Sequence, residues 1–351
     1  MATWVPDYLG TGFEQTTFEL VGDQGDDAQE ASTPSEELVA TLVRSLPVRR
    51  SLWQKLTRQT RDFEEIDVLY VHGWSDYFFQ KEFASFWTSR GARFFALDLR
   101  RYGRSLRENQ VAGFATDLEE YDAEIDLAVA EIQSDQKPGK PPRKFVLVGH
   151  STGGLVLSLW AARHPGIADA LVLNSPWLEF QLAARARQLL TPIVRLGARY
   201  TPLDSTPLLD HGFYSRAQAE VGPRSELEAV NFDWRPEQVR TVHSGWLAAV
   251  LEGHELVHRG LGLEIPICVM LSARSVFPTK WSDELTRADS VLDVDEVAKA
   301  ALRLGESVTI ERIDGALHDI FLSAESPRQQ AYERLERWMI GWKEATARSE
   351  R

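Results

Sequence analysis

The residues of this chain best suited to chemistry are a serine between glycines and a histidine near the C-terminal end. Ser151 lies in G-H-S-T-G at positions 149–153, which matches the pattern G-x-S-x-G. A serine alone is a poor nucleophile, so it needs a neighbouring base that is oriented in turn by an acid. His318, in the stretch G-A-L-H-D, is the candidate base. These residue types predict nucleophilic catalysis through a covalent intermediate.

The sequence around Ser151 also predicts the backbone that such a serine requires. Residues 145–148, F-V-L-V, form a short apolar run typical of a strand buried on both faces, and residues 155–163 are compatible with a helix. The tight turn between them lifts the serine clear of the sheet, and the flanking glycines let the chains approach without a Cβ clash. The N–H of Thr152 then stands at the start of the helix, where free donors and the positive end of the helix dipole favour a developing oxyanion.

The acid must be sought between Ser151 and His318, because folds that use this turn follow the chain order serine, acid, histidine. The expected place is directly after the apolar run 267–271, yet the next residues, S-A-R-S-V-F-P, contain no carboxylate. Farther on, Asp289 stands in A-D-S-V-L-D, directly before a helical segment. We therefore predict Asp289 as the acid.

Other carboxylates are kept as alternatives or have a plainer explanation. Glu179, in N-S-P-W-L-E-F after the apolar run 170–173, is the alternative acid, because the end of the preceding strand can reach the same histidine. Asp293 is better explained as the N-cap of the next helix, where its side chain accepts the first free amide donors. Asp283 and Glu284 are interpreted as solvated loop charges.

A second oxyanion donor is expected in the loop after the apolar run 68–71, which continues as H-G-W at 72–74. Gly73 allows the backbone to turn, so the amide of Trp74 can point at the same position as that of Thr152. Only the backbone of Trp74 is required, and its indole can pack in the core or in a lid. His72 and His150 are interpreted as packed, hydrogen-bonded supports.

Together these motifs resemble the α/β-hydrolase superfamily, and within it the branch of serine aminopeptidases, monoacylglycerol lipases and lysophospholipase-like proteins. The resemblance covers residues 68–342 and rests on five motifs in family order: H-G-W at 72–74, D-L-R-R-Y-G-R-S at 98–105, G-H-S-T-G-G at 149–154, A-D-S-V-L-D at 288–293 and G-A-L-H-D at 315–319. Two departures occur. Arg101 takes the place of a glycine in D-x-R-G-x-G-x-S, which we expect to be tolerated, and residues 272–287 resemble an insertion ahead of the acid.

The resemblance implies a role for each candidate residue. Ser151 would be the nucleophile, His318 the general base and Asp289 the acid, with the amides of Trp74 and Thr152 forming the oxyanion hole. The implied reaction is hydrolysis of a carboxylic ester, with no metal or organic cofactor. A peptidase or a lactonase would use the same triad, and a catalytically silent binding protein is the alternative of a different class.

The rest of the chain predicts an α/β fold, with a mostly parallel central sheet and helices on both faces. Residues 13–21 and 38–43 are candidate N-terminal strands, joined by an exposed loop at 22–35 that is rich in Gly, Asp, Gln and Ser. From residue 66 onward, apolar runs alternate with segments of helical spacing, which is typical of a parallel sheet that binds ligands beyond the carboxyl ends of its strands. The predicted strands are 68–71, 94–99, 145–148, 170–173, 267–271 and 308–313, and the predicted helices are 78–89, 118–132, 155–163, 294–304 and 327–342.

One stretch breaks the alternation of strands and helices. Residues 177–263 contain no strong strand signal, but they contain helical patterns at 178–197 and 239–259. We predict a helical cap there, inserted between two parts of the core at 1–176 and 264–351. The alternative is that these helices belong to the core.

A competing pattern, H-E-x-x-H, lies at 254–258. On a helix, His254 and His258 would share one face and could bind zinc, with Glu255 as general base. No obvious third ligand follows, and the segment runs at once into Arg259-Gly260 and the next core strand. We therefore interpret it as a polar face of a cap helix and predict no metal site.

Composition limits the partners of this chain of 351 residues. Its net charge of −13 argues against nucleic acid and against an anionic membrane surface, because both require clustered Lys and Arg. The expected substrate is a small-molecule ester with an apolar or aromatic group. Five tryptophans at predicted loop or cap positions suggest an apolar pocket, although they can equally be core residues. They are Trp74, Trp177, Trp234, Trp246 and Trp281. The sequence leaves homo-oligomerisation open.

The cysteine content and the N-terminal stretch predict a cytoplasmic protein. The single cysteine, Cys268 in I-C-V-M-L, allows no intrachain disulfide and is interpreted as core packing. The first ten residues lack the basic and apolar regions of a signal peptide, and no run approaches the roughly 20 apolar residues of a membrane span. We therefore expect no targeting signal.

Overall fold

A nine-stranded sheet runs through the computed structural model, which describes residues 2–20, 37–48, 61–134, 141–180, 194, 197–206 and 212–349. Its strands are numbered along the chain, and their order across the sheet is β1 (Val5–Pro6), β2 (Phe13–Glu19), β3 (Val39–Ser45), β5 (Arg93–Asp98), β4 (Ile66–Val71), β6 (Lys144–His150), β7 (Ala170–Asn174), β10 (Ile267–Ser272) and β11 (Val308–Ile313). The first three pair antiparallel with their neighbours, and the six from β5 onward in this order are parallel. All six apolar runs predicted between 68 and 313 coincide with these parallel strands, with Leu99 alone lying one residue beyond the end of β5, so the predicted α/β sheet is confirmed.

Helices cover both faces of this sheet, as its apolar strands require. The helices of the described residues include α1 (Lys81–Ser89), α2 (Asp122–Ser134), α3 (Thr152–Arg163), α4 (Phe213–Val221), α5 (Arg224–Leu227), α6 (Ser244–Arg259), α7 (Val294–Ala301) and α8 (Glu325–Ser349). Alternate residues of a strand point to opposite faces. In β4, Leu69 and Val71 therefore join a core cluster with residues of α2, α3, α6 and α7, whereas Val68 and Tyr70 join a second cluster with residues of α1 and α8.

The turn after β5, which contains the D-L-R-R-Y-G-R-S motif, is fastened by buried ion pairs. Arg104 donates to Asp98 at 2.8 Å and to Asp7 at 2.7 Å, and Asp98 also accepts from the backbone N–H of Phe78 at 2.9 Å. Arg101, at the position of the usual glycine, has a φ of 62°. A side chain in this left-handed region costs about 1 to 2 kcal/mol, which explains the glycine of the family pattern; that the arginine is tolerated stays a prediction.

The segment at 177–263 differs in part from its predicted structure. Two short strands, β8 (Ser205–Thr206) and β9 (Val242–His243), pair there as a ribbon that the sequence did not signal. The predicted helix at 239–259 therefore begins only at Ser244. Residues 178–180 are not helical, and most of the predicted helix 178–197, like the predicted loop 22–35, lies outside the described residues. The division into core and cap stays a prediction.

Two further features bear on the expectations from composition. Cys268 is completely buried in β10, which confirms that it packs in the core. Within the part of the chain that the structure describes, no helix has the length and the apolar character that a membrane crossing demands.

Candidate active site

Ser151 lies on a strained turn between β6 and α3. Its φ of 51° and ψ of −118° are a conformation that residues other than glycine rarely adopt, as the tight strand-to-helix turn requires. The backbone around it is firmly held: its N–H donates to the carbonyl of Asn174 at 3.0 Å, and its own carbonyl accepts from the amides of Gly154 and Trp177 at 3.0 and 2.9 Å. The strain is therefore supported by hydrogen bonds on both sides of the serine.

Close backbone approaches around the serine explain the neighbouring glycines. A Cβ atom on Gly73 would lie 2.9 Å from the Cβ of Ser151, so the H-G-W loop lies directly against the serine. A Cβ on Gly149 would lie 2.5 Å from the Cα of Gly154, and a Cβ on Gly153 would run into the carbonyl oxygens at the end of β4. Any larger residue at these three positions would displace the turn.

Ser151, His318 and Asp289 form one line of hydrogen bonds. His318 Nε2 lies 3.0 Å from Ser151 Oγ, and His318 Nδ1 lies 2.9 Å from Asp289 Oδ2. All three side chains are buried, with Ser151 the most accessible at 9% exposed. The structure thus brings together the three residues that the sequence predicted, in the geometry of a nucleophile, a base and an orienting acid.

The segment ahead of Asp289 explains how a distant carboxylate reaches the sheet edge. After β10 the chain leaves the sheet and returns, and Asp289 pairs as an isolated parallel bridge with Ser275. Its N–H donates to the carbonyl of Arg274 at 3.0 Å, and its carbonyl accepts from Val276 at 2.8 Å. The insertion expected at 272–287 therefore loops out and brings the acid back beside the end of β10.

The carboxylate of Asp289 is held by its own loop as well as by the histidine. Its Oδ1 accepts from the backbone amides of Val291 and Leu292 at 2.7 and 2.8 Å. With Oδ2 accepting from His318, all three partners are donors, which fixes the orientation of the carboxylate. The proton of the imidazole is then on Nδ1, so Nε2 faces Ser151 as an acceptor.

The other predicted carboxylates lie away from this line. Glu179 faces His258, with 2.7 Å between its Oε2 and the Nε2 atom. Asp293 caps α7 by accepting from the amides of residues 295 and 296, as predicted. Asp283 and Glu284 are exposed at the start of a short 3-10 turn, in keeping with solvated loop charges.

The amides of Trp74 and Thr152 flank the serine and are available as donors. Neither donates a hydrogen bond to another described residue. Thr152 is the first residue of α3, so its N–H belongs to the unpaired first turn of the helix, and Trp74 follows the glycine that touches Ser151. The two predicted oxyanion donors are therefore unpaired amides next to residues that adjoin the serine, and their role stays a prediction.

His72 and His150 have structural hydrogen bonds, as expected for supports. His72 Nδ1 donates to the carbonyl of Gly73 at 2.8 Å, and its Nε2 accepts from the amide of Leu99 at 3.2 Å. His150 Nδ1 donates to the carbonyl of Asn174 at 3.1 Å. Burial lowers the pKa of His150 below its ordinary value, so this ring is neutral at the bottom of the site.

A second buried acid, Asp319, lies directly behind the histidine and was missed from the sequence. Its Oδ1 accepts from Asn174 Nδ2 at 2.9 Å and from the amide of Phe321 at 3.1 Å, and its Oδ2 accepts from Gln80 Nε2 at 2.5 Å. These bonds fasten the loop that carries His318 to the ends of other elements. The only signal was its place immediately after the histidine in G-A-L-H-D.

Tyr214, on α4, contacts the same histidine from the predicted cap. Its ring lies edge-on to the His318 imidazole with 5.6 Å between centroids, and its hydroxyl accepts from the N–H of Asp319 at 3.1 Å and from Gln218 Nε2 at 2.6 Å. Gln218 accepts in turn from Arg235 at 2.7 Å, and Arg235 pairs with Asp76, two residues after the H-G-W motif. A buried chain of polar side chains therefore joins the loop of His318 to the loop that contains H-G-W.

Three of the five predicted tryptophans pack together on the core, where Trp246 is completely buried and Trp74 and Trp177 are partly buried. The rings of Trp74 and Trp246 have centroids 3.8 Å apart, and Trp177 lies 5.9 Å from Trp246. We call these three residues the tryptophan cluster. Trp234 packs instead on Tyr8 and Tyr77, and Trp281 on Phe213 and Arg216, so those two tryptophans are not part of it.

The histidines of H-E-x-x-H have other partners. His254 Nε2 lies 2.8 Å from the carbonyl of Trp177, and His258 faces Glu179. In the described ranges, no group of three or more His, Cys, Asp or Glu side chains is arranged to hold a metal ion. The pattern therefore belongs to a helix face that packs near the tryptophan cluster.

Residues 65–246, slightly more than half of the chain, match a family model described as serine aminopeptidase, S33. The matched range contains Trp74, Ser151 and Thr152 but ends before Asp289 and His318. Lysophospholipase L2 of Escherichia coli K12 is 35% identical over 82 residues, which are 23% of this chain and 23% of that protein. The match to this curated relative thus spans about a quarter of its length.

Solved structures with the same fold include two lipases. A soluble variant of monoglyceride lipase from Saccharomyces cerevisiae aligns with a TM-score of 0.60 and 14% identity over 87% of this chain and 93% of that one. A monoacylglycerol lipase from Paleococcus ferrophilus aligns with a TM-score of 0.57 and 18% identity over 80% of this chain and 95% of that one. At these identities the likeness shows that the chain has the α/β-hydrolase fold.

Proposed function

We propose, from the premise that this chain belongs to the serine aminopeptidase S33 family of α/β hydrolases, that it hydrolyses carboxylic esters through an acyl-enzyme formed on Ser151. The observation that carries the proposal is the line of hydrogen bonds from Ser151 Oγ through His318 to Asp289, with distances of 3.0 and 2.9 Å. A strained, buried serine in such a line is arranged for attack on a carbonyl carbon.

The first half of the reaction follows from the tautomer of His318. Its Nε2 accepts the proton of Ser151 Oγ as the oxygen attacks the ester carbonyl, and the imidazole becomes a cation. Asp289 stabilises that cation through Nδ1 and holds the ring in place, while two backbone donors fix the orientation of the carboxylate. The histidine then gives the proton to the leaving alcohol, and the acyl group stays on the serine.

The second half uses the same groups on water. The carbonyl oxygen becomes negative in each tetrahedral intermediate, and the amides of Trp74 and Thr152 are the proposed donors to it. His318 takes a proton from water as the water oxygen attacks the acyl carbon. The histidine then returns that proton to Ser151 Oγ as the bond between the serine and the acyl group breaks, and the acid leaves. Neither half requires a metal ion or an organic cofactor.

The tryptophan cluster supports an ester with an apolar or aromatic acyl group. Its backbone lies close to the serine, because the amide of Trp177 donates to the carbonyl of Ser151 and Trp74 follows the glycine that touches it. Trp74 and Trp177 are partly exposed, and aromatic surface of this kind favours such acyl groups. The lipase and lysophospholipase names of the compared proteins point to the same substrate class.

Peptide hydrolysis is the second candidate, because the family model is described as serine aminopeptidase. The same residues can attack an amide, and a lactone would react as an ester does. A panel of p-nitrophenyl esters, aminoacyl p-nitroanilides and lactones separates these reactions, and we expect the highest kcat/KM with the esters.

The test of the whole proposal is Ser151→Ala with a short p-nitrophenyl ester. We expect turnover to fall by about 10⁶-fold, towards the level that binding and oxyanion donors alone provide. A fluorophosphonate probe should label the wild type and not the variant. Turnover that survives the substitution would contradict the mechanism, and a wild type that neither labels nor turns over esters or peptides would indicate a binding protein.

A further inference from the structure

The side chain of Thr152 carries a buried hydroxyl without a partner. Thr152 is 5% exposed, and its Oγ1 has no hydrogen bond within the described part of the chain. Buried polar groups in folded proteins are hydrogen-bonded in the great majority, so an unpaired one calls for an explanation. The position is also unusual, because the residue directly follows the proposed nucleophile.

Two other buried hydroxyls of the core donate to carbonyl oxygens. Ser158, six residues farther along α3, donates to the carbonyl of Gly154 at 2.7 Å, and Ser272 donates to the carbonyl of Ala316 at 2.7 Å. A helical serine or threonine normally bonds to the turn before it. Thr152 is the first residue of α3, so no carbonyl oxygen of a preceding helical turn is present to accept from its hydroxyl.

Helix geometry sets the direction of this side chain. Each Cα–Cβ bond in a helix tilts towards the N-terminus, so the side chain of a first residue leans over the end of the helix, where its own N–H also points. Within one threonine residue the hydroxyl oxygen lies within about 3 to 4 Å of the backbone nitrogen. The hydroxyl of Thr152 is therefore near the place that its amide serves.

We propose that the Oγ–H of Thr152 is a third donor of the oxyanion hole, beside the backbone N–H groups of Trp74 and Thr152. The inference rests on the proposed function of Ser151. The hydroxyl stays unpaired while the serine is free and donates to the carbonyl oxygen when that oxygen becomes negative. A donor whose hydrogen bond forms mainly in the transition state lowers the barrier without tightening substrate binding.

The decisive variant is Thr152→Val, which keeps the shape of the side chain and removes only the hydroxyl. We expect kcat for a p-nitrophenyl ester to fall about 10- to 100-fold with KM nearly unchanged, and the melting temperature to stay or rise, because an unpaired buried hydroxyl destabilises the fold. Thr152→Ser retains the donor, so it should keep most of the wild-type kcat. Thr152→Ala provides the same comparison if the valine variant does not fold.

Ser175 offers a matched control. Its Oγ is also buried and without a partner among the described residues, but it lies after β7 and outside the serine turn. Ser175→Ala should leave kcat at the wild-type level. If Thr152→Val behaves like this control, or if Thr152→Ser loses as much activity as Thr152→Val, the hydroxyl is not a donor and the inference is wrong. If instead Ser151→Ala keeps full turnover, the proposed function itself fails.

Discussion

The hydrogen bonds of Asp289 make its replacement by asparagine a sharp test of the triad. One carboxylate oxygen accepts from the amides of Val291 and Leu292, and the other accepts from His318. In Asp289→Asn the carbonyl oxygen stays with the two amides, because an NH2 group cannot accept their hydrogen bonds. The NH2 group then faces Nδ1 of His318 and donates to it. The imidazole must carry its proton on Nε2, where it faces Ser151 as a donor and cannot act as a base.

The expected loss lies in turnover and not in the fold. Asp289→Asn keeps the size of the side chain and its two backbone hydrogen bonds, and it exchanges the charge-assisted bond to His318 for a neutral one. We expect the free energy of unfolding to fall by about 1 to 2 kcal/mol. Loss of the correct tautomer should lower kcat by about 10³- to 10⁴-fold, which corresponds to about 4 to 5.5 kcal/mol of transition-state stabilisation. The larger loss of kcat, about 10⁴-fold, is the loss known for replacing aspartate by asparagine in the triad of a serine protease.

The assay compares ester turnover with the rate of fluorophosphonate labelling in purified, folded protein. Both rates should fall together, because both require a base that deprotonates Ser151. Glu179→Gln is the matched control: its carboxylate pairs with His258 and should be dispensable for turnover. The reasoning is refuted if Asp289→Asn keeps more than about a tenth of the wild-type kcat, or if Glu179→Gln loses as much as Asp289→Asn.

Two further predictions concern the surroundings of the site. In Tyr214→Phe the N–H of Asp319 and the side-chain amide of Gln218 lose their acceptor. We expect the free energy of unfolding, measured by urea titration, to fall by about 1 to 3 kcal/mol and kcat to fall by about tenfold. Tyr200→Phe, at an exposed tyrosine, should change neither quantity. Burial raises the pKa of Glu226 from 4.5 to about 7, although two amides at the start of α1 donate to it. Between about pH 4.5 and 7 the folded state therefore binds more protons at this carboxyl than the unfolded state, so its contribution to stability falls as the pH rises through that window. In a Glu226→Gln variant this part of the pH dependence should disappear.

The controls for these two predictions are direct. A Tyr214→Phe variant that keeps the wild-type kcat while losing stability would show that the hydroxyl supports the fold and does not position His318. For the titration, Glu228→Gln changes an exposed carboxylate on the same segment and should leave the pH dependence of unfolding as in the wild type. If the slopes of the wild type and Glu226→Gln agree between pH 4.5 and 7, the pKa of Glu226 is not raised.

Most of the core could be predicted because its signals are local. Each parallel strand is a short apolar run, and the alternation with helical segments determines the sheet type and the edge that carries the site. The region at 177–263 resisted prediction for the opposite reason. The ribbon of β8 and β9 consists of two residues on each side, separated by 35 positions, so no periodic pattern can reveal it.

The nucleophile and its histidine follow from the sequence alone. Glycines without a Cβ, an apolar strand and a helix start define the turn of Ser151, and a histidine after the last strand needs only the parallel sheet to reach the same edge. The sequence also favoured Asp289 as the acid, but only tertiary structure decided between Asp289 and Glu179 and revealed the residues that support the site. Asp289 reaches His318 because its backbone pairs with residues 274–276 after a loop, and Tyr214 reaches the loop of His318 from 105 positions away. Contacts of this kind depend on how separate segments pack, and packing leaves no local pattern in the chain.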